Sequence, residues 1–514
     1  MSVSLPPPED LFYFLIAFAL LALLIVLTEV LRKRFGIGGE TTRKLVHIST
    51  GLFIFIAPYF FKSNFYPALI PAIFIPFNIL AVRLGWLRSL HGRGLESDGN
   101  RSYGTVYFPV AFLLLTLLCW GRFSWVLQTS MLVLGLADAF AALVGENLRK
   151  PHRYQLSSSP KSLEGSLAMF VTTAVIVFTC FGLFKSQTTV IGAMGLEERV
   201  LLAFSVALIA TAVEALLSSG LDNLFVPLSV AYILTITELN GAAAASQLML
   251  GVGISLAFVL GAFAVKFLNA SGSTATFLLA STIFGMGGFV WTVPILTFFI
   301  LSSLLSKAGK ARKKKYDLMF EKTSQRDAGQ VVANGGIAWT LMIFYSYFPY
   351  RWVYIAYLGT LAAVQADTWA TEIGTMVRNP KPYSVVTFKP VPAGTSGGVT
   401  LIGTLGGVLG AMIICASAWL SNRAEMMMFG AVISFAAIGA AGAAGSYIDS
   451  LLGATLQSQY FDPARGKITE RKFRETPQGA AHNELQKGYE WIDNDMVNFA
   501  CGLAGAFIAV LLMH

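Results

Sequence analysis

The chain has 514 residues, of which 55% are hydrophobic and only 13% are charged, and its mean hydropathy is +0.65. A soluble protein of this length needs far more charged surface, so the composition excludes a water-soluble enzyme or binding module. The net charge of +9 is not gathered in a soluble basic domain with an aromatic platform, and we therefore expect no nucleic acid partner.

Apolar runs of about 20 residues recur along the whole chain, which is typical of membrane-spanning helices. We therefore predict an all-α, polytopic helical membrane protein with roughly 14–16 transmembrane helices in two related bundles. The first run begins at Leu11 after a proline-rich, acidic start and lacks the basic segment of a signal peptide, so it is expected to remain as a span. The four cysteines are isolated in apolar segments, which favours buried small side chains over a metal or disulfide framework.

Lysine and arginine are concentrated in four loops, at residues 32–44, 83–101, 149–161 and 307–326. The loops between the first three of them are short and nearly uncharged. This alternation predicts cytoplasmic basic loops and an N-terminus outside. The run KARKKKYD at 310–317 is interpreted as a topology signal and lipid anchor.

Two nonapeptides carry the same pattern in the two halves of the chain. ADAFAALVG at 137–145 and ADTWATEIG at 366–374 each place Ala three residues and Gly seven residues after the Asp. On a helix these positions lie on one face, so each half presents an aspartate beside small residues. We interpret the repetition as an internal duplication, with the boundary near 240–270.

Further pairs of elements follow in the same order. They are the glycine-bearing loops at 159–170 and 391–407, EALLSSG at 214–220 and DSLLGAT at 449–455, and DNLFVP at 222–227 and NDMVNF at 494–499. The predicted domains are therefore 1–240 and 273–514, joined by a connecting region at 241–272 that includes a span. The longest hydrophilic stretch, 458–495, is predicted to be a cytoplasmic excursion between the last two spans.

Several acids lie within apolar runs or at their ends. A charge at the centre of a bilayer costs about 2.5–3.5 kcal/mol on insertion scales unless it faces a cavity or a partner. One interpretation is helix–helix contact, in which a lysine or a backbone group satisfies each carboxylate. The other is a Mg²⁺ and polyphosphate site, because carboxylates hold the metal while lysines and glycine-rich loops bind the phosphates.

Motifs of the first half resemble the phytol/dolichol kinase family. They are RKLVHISTG at 43–51, GLADAFAALVGE at 135–146, PKSLEGSLAMF at 160–170 and VEALLSSGLDNLFVPL at 213–228. The resemblance covers residues 10–240 and the motifs keep the family's order. It implies a membrane enzyme that phosphorylates an isoprenoid alcohol, usually from CTP, with a distant similarity to phosphatidate cytidylyltransferases.

Motifs of the second half resemble the phytyl-phosphate kinase-like family, also called the transmembrane protein 19 group. They are QRDAGQVVANGG at 325–336, ADTWATEIG at 366–374, KPVPAGTSGGVTLIGTLGG at 389–407, GSYIDSLLGATLQ at 445–457 and NDMVNF at 494–499. That family is implicated in converting an isoprenoid monophosphate into the diphosphate.

Together the two resemblances imply a bifunctional kinase that takes a prenyl alcohol to the monophosphate and then to the diphosphate. Mg²⁺ and CTP, or another nucleoside triphosphate, are the expected cofactor and donor, and the sites are expected on the cytoplasmic side. The expected partners are the alcohol, its monophosphate and membrane lipids. The sequence does not choose among phytol, geranylgeraniol, farnesol and longer polyprenols, or between CTP, ATP and UTP, and it leaves the oligomeric state open.

The candidate site residues of the first half are Lys44, His47, Asp138, Lys161, Ser162, Glu164, Gly165, Glu214, Asp222 and Asn223. Asp138 and Asp222 are predicted to hold metal or triphosphate, and Lys161 is predicted to contact phosphate. The base that deprotonates the alcohol is Asp138, Glu214 or His47. The other residues of the set are assigned to nucleotide and phosphate binding.

The candidate site residues of the second half are Arg326, Asn334, Asp367, Glu372, Lys389, Gly394, Thr395, Ser396, Gly397, Asp449, Asp495 and Asn498. Asp367 and Asp449 are predicted to be catalytic and to hold metal, with Asp495 as a third metal ligand. The two basic residues and the glycine-bearing loop are predicted phosphate contacts. The two asparagines and Glu372 complete the polar site.

Two other functions share some of these traits. Duplicated halves and acids near the membrane are also found in transporters, although here the acids stand next to lysines and glycine-bearing loops at helix ends. A cytidylyltransferase that forms a CDP-lipid would use similar residues for a different reaction.

Overall fold

The protein is described by a computed structural model over residues 6–85, 103–313, 325–428, 430–476 and 479–513. Its backbone divides into two units, residues 1–249 and 250–514. This division falls inside the region 240–270 in which the sequence pattern places the boundary. The predictions for the basic loops 83–101 and 307–326 and for the run 310–317 lie largely outside the described residues.

The first unit is built almost entirely from helices. They are α1 (Pro8–Phe35), α2 (Gly39–Ile56), α3 (Phe65–Leu84), α4 (Gly104–Cys119), α5 (Ser124–Leu132), α6 (Asp138–Asn147), α7 (Leu163–Leu183), α8 (Val190–Ala193), α9 (Leu196–Leu216) and α10 (Asp222–Ala264), the last of which continues past the division. A π-helical turn at Val133–Ala137 joins α5 to α6. Two 3₁₀ turns lie at Ala57–Tyr59 and Lys185–Gln187.

The second unit is also built mainly from helices. Its helices are α11 (Ala270–Lys313), α12 (Ala328–Tyr347), α13 (Arg351–Met376), α14 (Leu401–Ser421), α15 (Arg423–Met428), α16 (Ala431–Thr455) and α17 (Asn494–Met513). Helix α13 packs against α12, α14, α16 and α17. It is buried continuously from Val353 to Ala366, so the aspartate that follows stands at the end of the buried stretch.

Short antiparallel strands occur in the loops of both units. A two-residue pair, β1 (Arg153–Tyr154) and β2 (Lys161–Ser162), precedes α7, and a second pair, β3 (Tyr383–Ser384) and β4 (Gly398–Val399), precedes α14. The hydrophilic stretch at 458–495 forms β5 (Gln459–Asp462), β6 (Lys467–Thr469), β7 (Phe473–Thr476), β8 (Gly479–His482) and β9 (Glu484–Lys487). Strand β5 lies between β6 and β9, and β7 pairs with β8.

Ten helices in the described ranges are long and apolar enough to cross a membrane. Two of them, α10 and α11, break at Gly241 and Gly288, whose positive φ angles of 86° and 58° suit glycine. Each side of either break is about the length of one span. Ten such helices are fewer than the roughly 14–16 spans predicted from the sequence, because α10 and α11 are each counted once and the polar or short helices α2, α4, α12 and α13 are not counted. The chain is a polytopic helical membrane protein.

Candidate functional site

Asp138 stands at an irregular point in its helix. The π-helical turn ends at Ala137, and Asp138 is the first residue of α6. Within that turn Gly135 packs against Gly51 of α2 so closely that a Cβ on Gly51 would lie 3.0 Å from the Cα of Gly135. Single π-helical turns of this sort occur frequently at functional sites. Here the turn lets α2 approach the backbone next to the aspartate.

Two residues of α2 reach Asp138 from this contact. Nζ of Lys44 lies 2.6 Å from Oδ2 of Asp138, and Nδ1 of His47 lies 3.7 Å from the same oxygen. The exposed fractions are 7% for Asp138 and 4% for each partner. Nδ1 of His47 is buried and has no hydrogen-bond partner in the described chain. The carboxylate is therefore ion-paired, while the imidazole beside it keeps a ring nitrogen unengaged.

A second ion-pair cluster centres on Lys161 in β2. Its Nζ lies 2.5 Å from Oε1 of Glu214, near the end of α9, and 3.4 Å from Oδ2 of Asp222, at the start of α10. Burial alone would lower the pKa of Lys161. The carboxylates of Glu214, Asp222 and, more weakly, Asp138 raise it by a larger amount, so the pKa lies above its usual value. Because Asp138 contributes to the pKa of Lys161, the two clusters are close enough to interact electrostatically. In these two clusters each of the three acids is therefore ion-paired with a lysine, and Lys161 is shared by two of them.

The start of α7 packs closely against α6, within two helical turns after Asp138. Oγ of Ser162 accepts the N–H of Gly165 at 3.1 Å and caps α7. A Cβ on Gly165 would lie 2.8 Å from the carbonyl oxygen of Ala141, and one on Gly145 would lie 2.6 Å from Oγ of Ser162. Only residues without side chains fit these two positions.

The second unit repeats this arrangement. Oγ1 of Thr400 accepts the N–H of Gly403 at 3.0 Å and caps α14. A Cβ on Gly403 would lie 2.6 Å from the carbonyl oxygen of Ala370, and one on Gly374 would lie 3.0 Å from Oγ1 of Thr400. The contacts match those of the first unit one for one, and Asp367 occupies the place of Asp138.

The charges around Asp367 differ from those around Asp138. The carboxyl groups of Asp367 and of Asp449, on α16, lie close enough together to interact directly, acid against acid. Within the described ranges, neither aspartate is ion-paired with lysine or arginine. Oδ2 of Asp449 is buried without a hydrogen-bond partner. The second unit therefore leaves a pair of acids uncompensated.

The glycine-bearing loop at 394–397 packs beside Asp449. A Cβ on Gly397 would lie 2.6 Å from the carbonyl oxygen of Ser450, the residue after Asp449. Oγ of Ser396 donates to Oε1 of Glu470 at 2.9 Å, and the Glu470 carboxylate acts electrostatically on Asp449. The structure thus brings the loop and both predicted acids together, and it adds an acid from the loop between β6 and β7.

Comparisons with known proteins identify the family of the chain. The family described as integral membrane protein DUF92 matches residues 253–506. Protein PGR of Arabidopsis thaliana is 30% identical over 282 residues, which cover 51% of this chain and 94% of that protein. The phytol kinase of Synechocystis sp. is 33% identical over 218 residues, which cover 41% of this chain and 84% of that protein. The chain belongs to the phytol kinase-like membrane protein family.

Protein VTE6, chloroplastic, of Arabidopsis thaliana is 24% identical over 266 residues, which cover 50% of this chain and 69% of that protein. No solved structure matches the chain.

The remaining predicted residues of the first unit have separate contacts. Glu164 accepts hydrogen bonds from the backbone N–H of His152 and contacts Nδ1 of His152 at 2.7 Å, so it ties down the loop before β1. Asn223 is buried beside Asp222, whose Oδ1 accepts its N–H at 3.1 Å. Both residues stay predictions as ligands.

Arg326 and Glu372 form a group of their own in the second unit. The guanidinium of Arg326 lies 5.0 Å from the ring centre of Phe298 and 5.4 Å from that of Phe299. Burial lowers the pKa of Arg326 to about 10, and the carboxylate of Glu372 partly opposes this. Oε1 of Glu372 accepts a hydrogen bond from Oγ of Ser306 at 2.5 Å.

The other predicted residues of the second unit lie on separate elements. Lys389 is exposed near the β3–β4 turn. Oγ1 of Thr395 donates to the carbonyl of Pro392 at 2.8 Å, and Nδ2 of Asn334 donates to the carbonyl of Gln330 at 2.8 Å. Asp495 and Asn498 lie one turn apart on one face of α17.

Two residues near the sites were missed in the sequence. Arg43 lies four residues before His47 on α2, is hydrogen-bonded to Glu40, and is close enough to Asp138 and Asp222 to interact with both charges. The i, i+4 spacing from His47 is a signal that could have identified it. Glu470 carried no local signal, because it is one acid among many in a hydrophilic stretch.

A magnesium ion fits the second unit better than the first. Within the described ranges, no group of three or more His, Cys, Asp and Glu side chains is placed to hold a metal ion. Mg²⁺, however, is commonly bound through one or two carboxylates, with water and substrate phosphates as its other ligands. Asp367 and Asp449 supply such a pair with an unengaged oxygen. In the first unit Asp138, Glu214 and Asp222 are ion-paired with lysines, although Oε2 of Glu214 is also buried without a partner in the described chain.

Proposed function

We propose that this membrane protein is a bifunctional isoprenoid kinase. The first unit transfers the γ-phosphoryl group of a nucleoside triphosphate, CTP, to a prenyl alcohol, and the second unit adds another phosphoryl group to the monophosphate. The proposal is carried by one observation: the same aspartate, glycine and helix-cap arrangement occurs twice with different charges around it. The relative named phytol kinase supports an isoprenoid alcohol as the first acceptor.

The first unit is suited to an alcohol acceptor. The alcohol oxygen bonds to the γ-phosphorus, the bond from that phosphorus to the bridging oxygen breaks, the nucleoside diphosphate leaves, and the hydroxyl proton must go to a base. We assign the role of base to His47, because its ring lies beside Asp138, with Nδ1 3.7 Å from Oδ2 of the carboxylate. Asp138 would stabilise the imidazolium, and the lysines would neutralise phosphate charge.

The second unit is suited to a phosphate acceptor. A prenyl monophosphate is already ionised at neutral pH, so its oxygen can attack the second γ-phosphorus without a general base. The histidines of residues 250–514 are His482 and His514, and His482 lies in β8 rather than beside Asp367. Two anions must meet here, and Mg²⁺ held by Asp367 and Asp449 would supply the neutralising charge.

A product assay with labelled CTP tests the proposal. Protein purified in detergent is given a prenyl alcohol and CTP labelled in either the γ- or the α-phosphate. We expect the γ label in the prenyl monophosphate first and in the diphosphate later. The control variant Glu197→Gln, at an exposed position early in α9, should form both products at the normal rate.

Either of two other results overturns the kinase proposal. Entry of the α label into lipid would indicate cytidylyl transfer and a CDP-lipid product. No lipid product with either label, combined with uptake of a solute into proteoliposomes, would indicate a transporter.

A further inference from the structure

A small aromatic cluster in the second unit lies where the end of α10 meets α11 and the start of α12. Phe299 of α11 is 8% exposed. The centre of its ring lies 5.5 Å from that of Phe258 on α10 and 6.2 Å from that of Phe267, in the loop between the two helices. Ala262, Leu268 and Val331 complete the cluster.

Two cationic side chains border this aromatic cluster. Nζ of Lys307 lies 4.2 Å from the ring centre of Phe267, and the guanidinium of Arg326 lies 5.4 Å from the ring centre of Phe299. Within the described ranges, neither cation is ion-paired with an aspartate or a glutamate. Both therefore keep hydrogen-bond donors for an anion.

The backbone of Arg326 is held in a fixed position. Its N–H donates to the carbonyl of Phe267 at 3.0 Å, and its carbonyl accepts the N–H of Asn269 at 3.1 Å. A Cβ on Gly272 would lie 2.1 Å from the same carbonyl oxygen. The side chain is partly exposed, so a ligand can reach a guanidinium whose position is already set.

A buried hydroxyl lies on the same face of α11. Phe299, Ser303 and Lys307 are spaced four residues apart, so they lie one above another along the helix. Because Phe299 and Lys307 both contact Phe267, Ser303 between them is turned towards the cluster. Ser303 is 6% exposed, and its Oγ is buried without a hydrogen-bond partner in the described chain. Such a group costs free energy unless a ligand supplies a partner.

This group is separate from the acid pair of the second unit. The carboxylate that acts on the charge of Arg326 is that of Glu372, whereas Asp367 and Asp449 act on each other and Glu470 acts on Asp449. On α13, Asp367 and Glu372 are five residues apart, which turns them about 140° away from each other around the helix. An anion at Arg326 is therefore not the phosphate that reacts beside the acid pair.

The outer side of α10 and α11 is apolar next to the two cations. Leu260 and Phe263 of α10 are 61% and 51% exposed, and Leu304, three residues before Lys307, is 51% exposed. In a membrane-spanning helix such side chains meet the acyl chains of lipids, while cations near the helix ends attract anionic headgroups.

The charge of Glu372 restricts the kind of headgroup. A phosphate monoester carries a charge of about −1.5 to −2 at neutral pH, whereas the phosphodiester of a glycerophospholipid carries a single negative charge. The neighbouring carboxylate repels the second charge of a monoester, so the phosphodiester suits the site better.

We infer that Arg326, Ser303 and Lys307 bind the phosphodiester headgroup of one anionic glycerophospholipid, whose acyl chains lie along the exposed side of α10 and α11. The guanidinium and the Ser303 hydroxyl donate to phosphate oxygens, and Lys307 adds positive charge at the rim. The inference goes beyond the proposed kinase activity and does not depend on it.

Native mass spectrometry of the purified protein tests the site. The protein is mixed in detergent with equal amounts of dioleoyl phosphatidylglycerol and dioleoyl phosphatidylcholine. We expect one phosphatidylglycerol to bind in preference to phosphatidylcholine, and Arg326→Gln to weaken its binding at least about tenfold, as expected for a lost hydrogen bond to a charged group. The matched control Arg351→Gln, at the exposed start of α13, should leave it unchanged. No preference for phosphatidylglycerol, or equal weakening in both variants, would overturn the inference.

Ser303→Ala separates a ligand contact from a structural role. The hydroxyl bonds to nothing in the described chain, so the thermal midpoint in phosphatidylcholine should not change, while the affinity for phosphatidylglycerol should fall about three- to tenfold. An unchanged affinity, or an equal drop of the midpoint in both lipids, would contradict the inference.

Competition identifies the source of the phosphate. Displacement of phosphatidylglycerol by an equal concentration of geranylgeranyl monophosphate would assign the site to the reacting lipid, and displacement by inorganic phosphate would assign it to a free anion. Either result overturns the inference. Failure of the proposed function is distinguishable, because the preference for phosphatidylglycerol would then persist in a protein that forms no phosphorylated product.

Discussion

The two units of this protein place an aspartate in the same backbone setting and surround it with opposite charge arrangements. In the first unit Asp138 is ion-paired with Lys44, and Lys161 holds Glu214 and Asp222. In the second unit Asp367 and Asp449 face each other instead.

Under the proposed function, this difference matches two chemically different acceptors on a repeated scaffold. An alcohol needs a base and a site that stays neutral before the nucleotide arrives. A monophosphate needs no base, and it needs additional positive charge that an uncompensated acid pair can recruit with a cation.

Reciprocal loss of the two reactions is the largest expected effect. Asp138→Asn should slow phosphorylation of the alcohol by roughly 10²- to 10⁴-fold, since the proton acceptor loses its support, and should spare phosphorylation of supplied prenyl monophosphate. Asp367→Asn should do the reverse and make the monophosphate accumulate. Quantifying both products by mass spectrometry measures this. Equal losses of both reactions in each variant would refute the division of labour.

The next largest effect concerns the stability of the first unit. Lys161→Met leaves Glu214 and Asp222 without their cation and should lower the free energy of unfolding by about 3–5 kcal/mol. Adding Glu214→Gln should restore part of this loss, because one uncompensated charge is removed. Denaturation in detergent, followed by circular dichroism, gives both values. A double variant no more stable than Lys161→Met would argue against mutual neutralisation.

Magnesium should stabilise the second unit. At 100 times its Kd a ligand adds about 2.7 kcal/mol to the free energy of unfolding, so Mg²⁺ should raise the thermal midpoint of the wild-type protein without nucleotide present. Asp449→Asn should abolish this rise and should itself be stable in EDTA, since it removes a repulsion between carboxylates. A Mg²⁺-dependent rise that survives in Asp449→Asn but disappears in Asp138→Asn would place the Mg²⁺ site in the first unit instead of the second.

Removing the helix cap should destabilise both units by similar amounts, and this is the smallest of the expected effects. Ser162→Ala and Thr400→Ala each remove the side-chain cap of a helix and should each cost about 1 kcal/mol of unfolding free energy. Thermal unfolding of both variants in one detergent provides the measurement. A loss above about 3 kcal/mol for one variant alone would mean that the two caps are not equivalent.

The sequence by itself determined the helical membrane class, the repeated order of motifs and the identity of the acids. Hydropathy, the i, i+3, i+7 spacing of Asp, Ala and Gly, and a capping residue three positions before glycine are local signals. They require no knowledge of which helices touch.

Only the tertiary structure decided which acidic and basic side chains form ion pairs. Lys161 and Glu214 are 53 residues apart, and Lys44 and Asp138 are 94 apart, so no local pattern could show that the first unit neutralises its own acids. The same limit concealed the approach of α2 at the π-helical turn and the contact of Ser396 with Glu470. These features depend on the packing of distant helices, and packing determines whether a buried acid meets a lysine, another acid or a ligand.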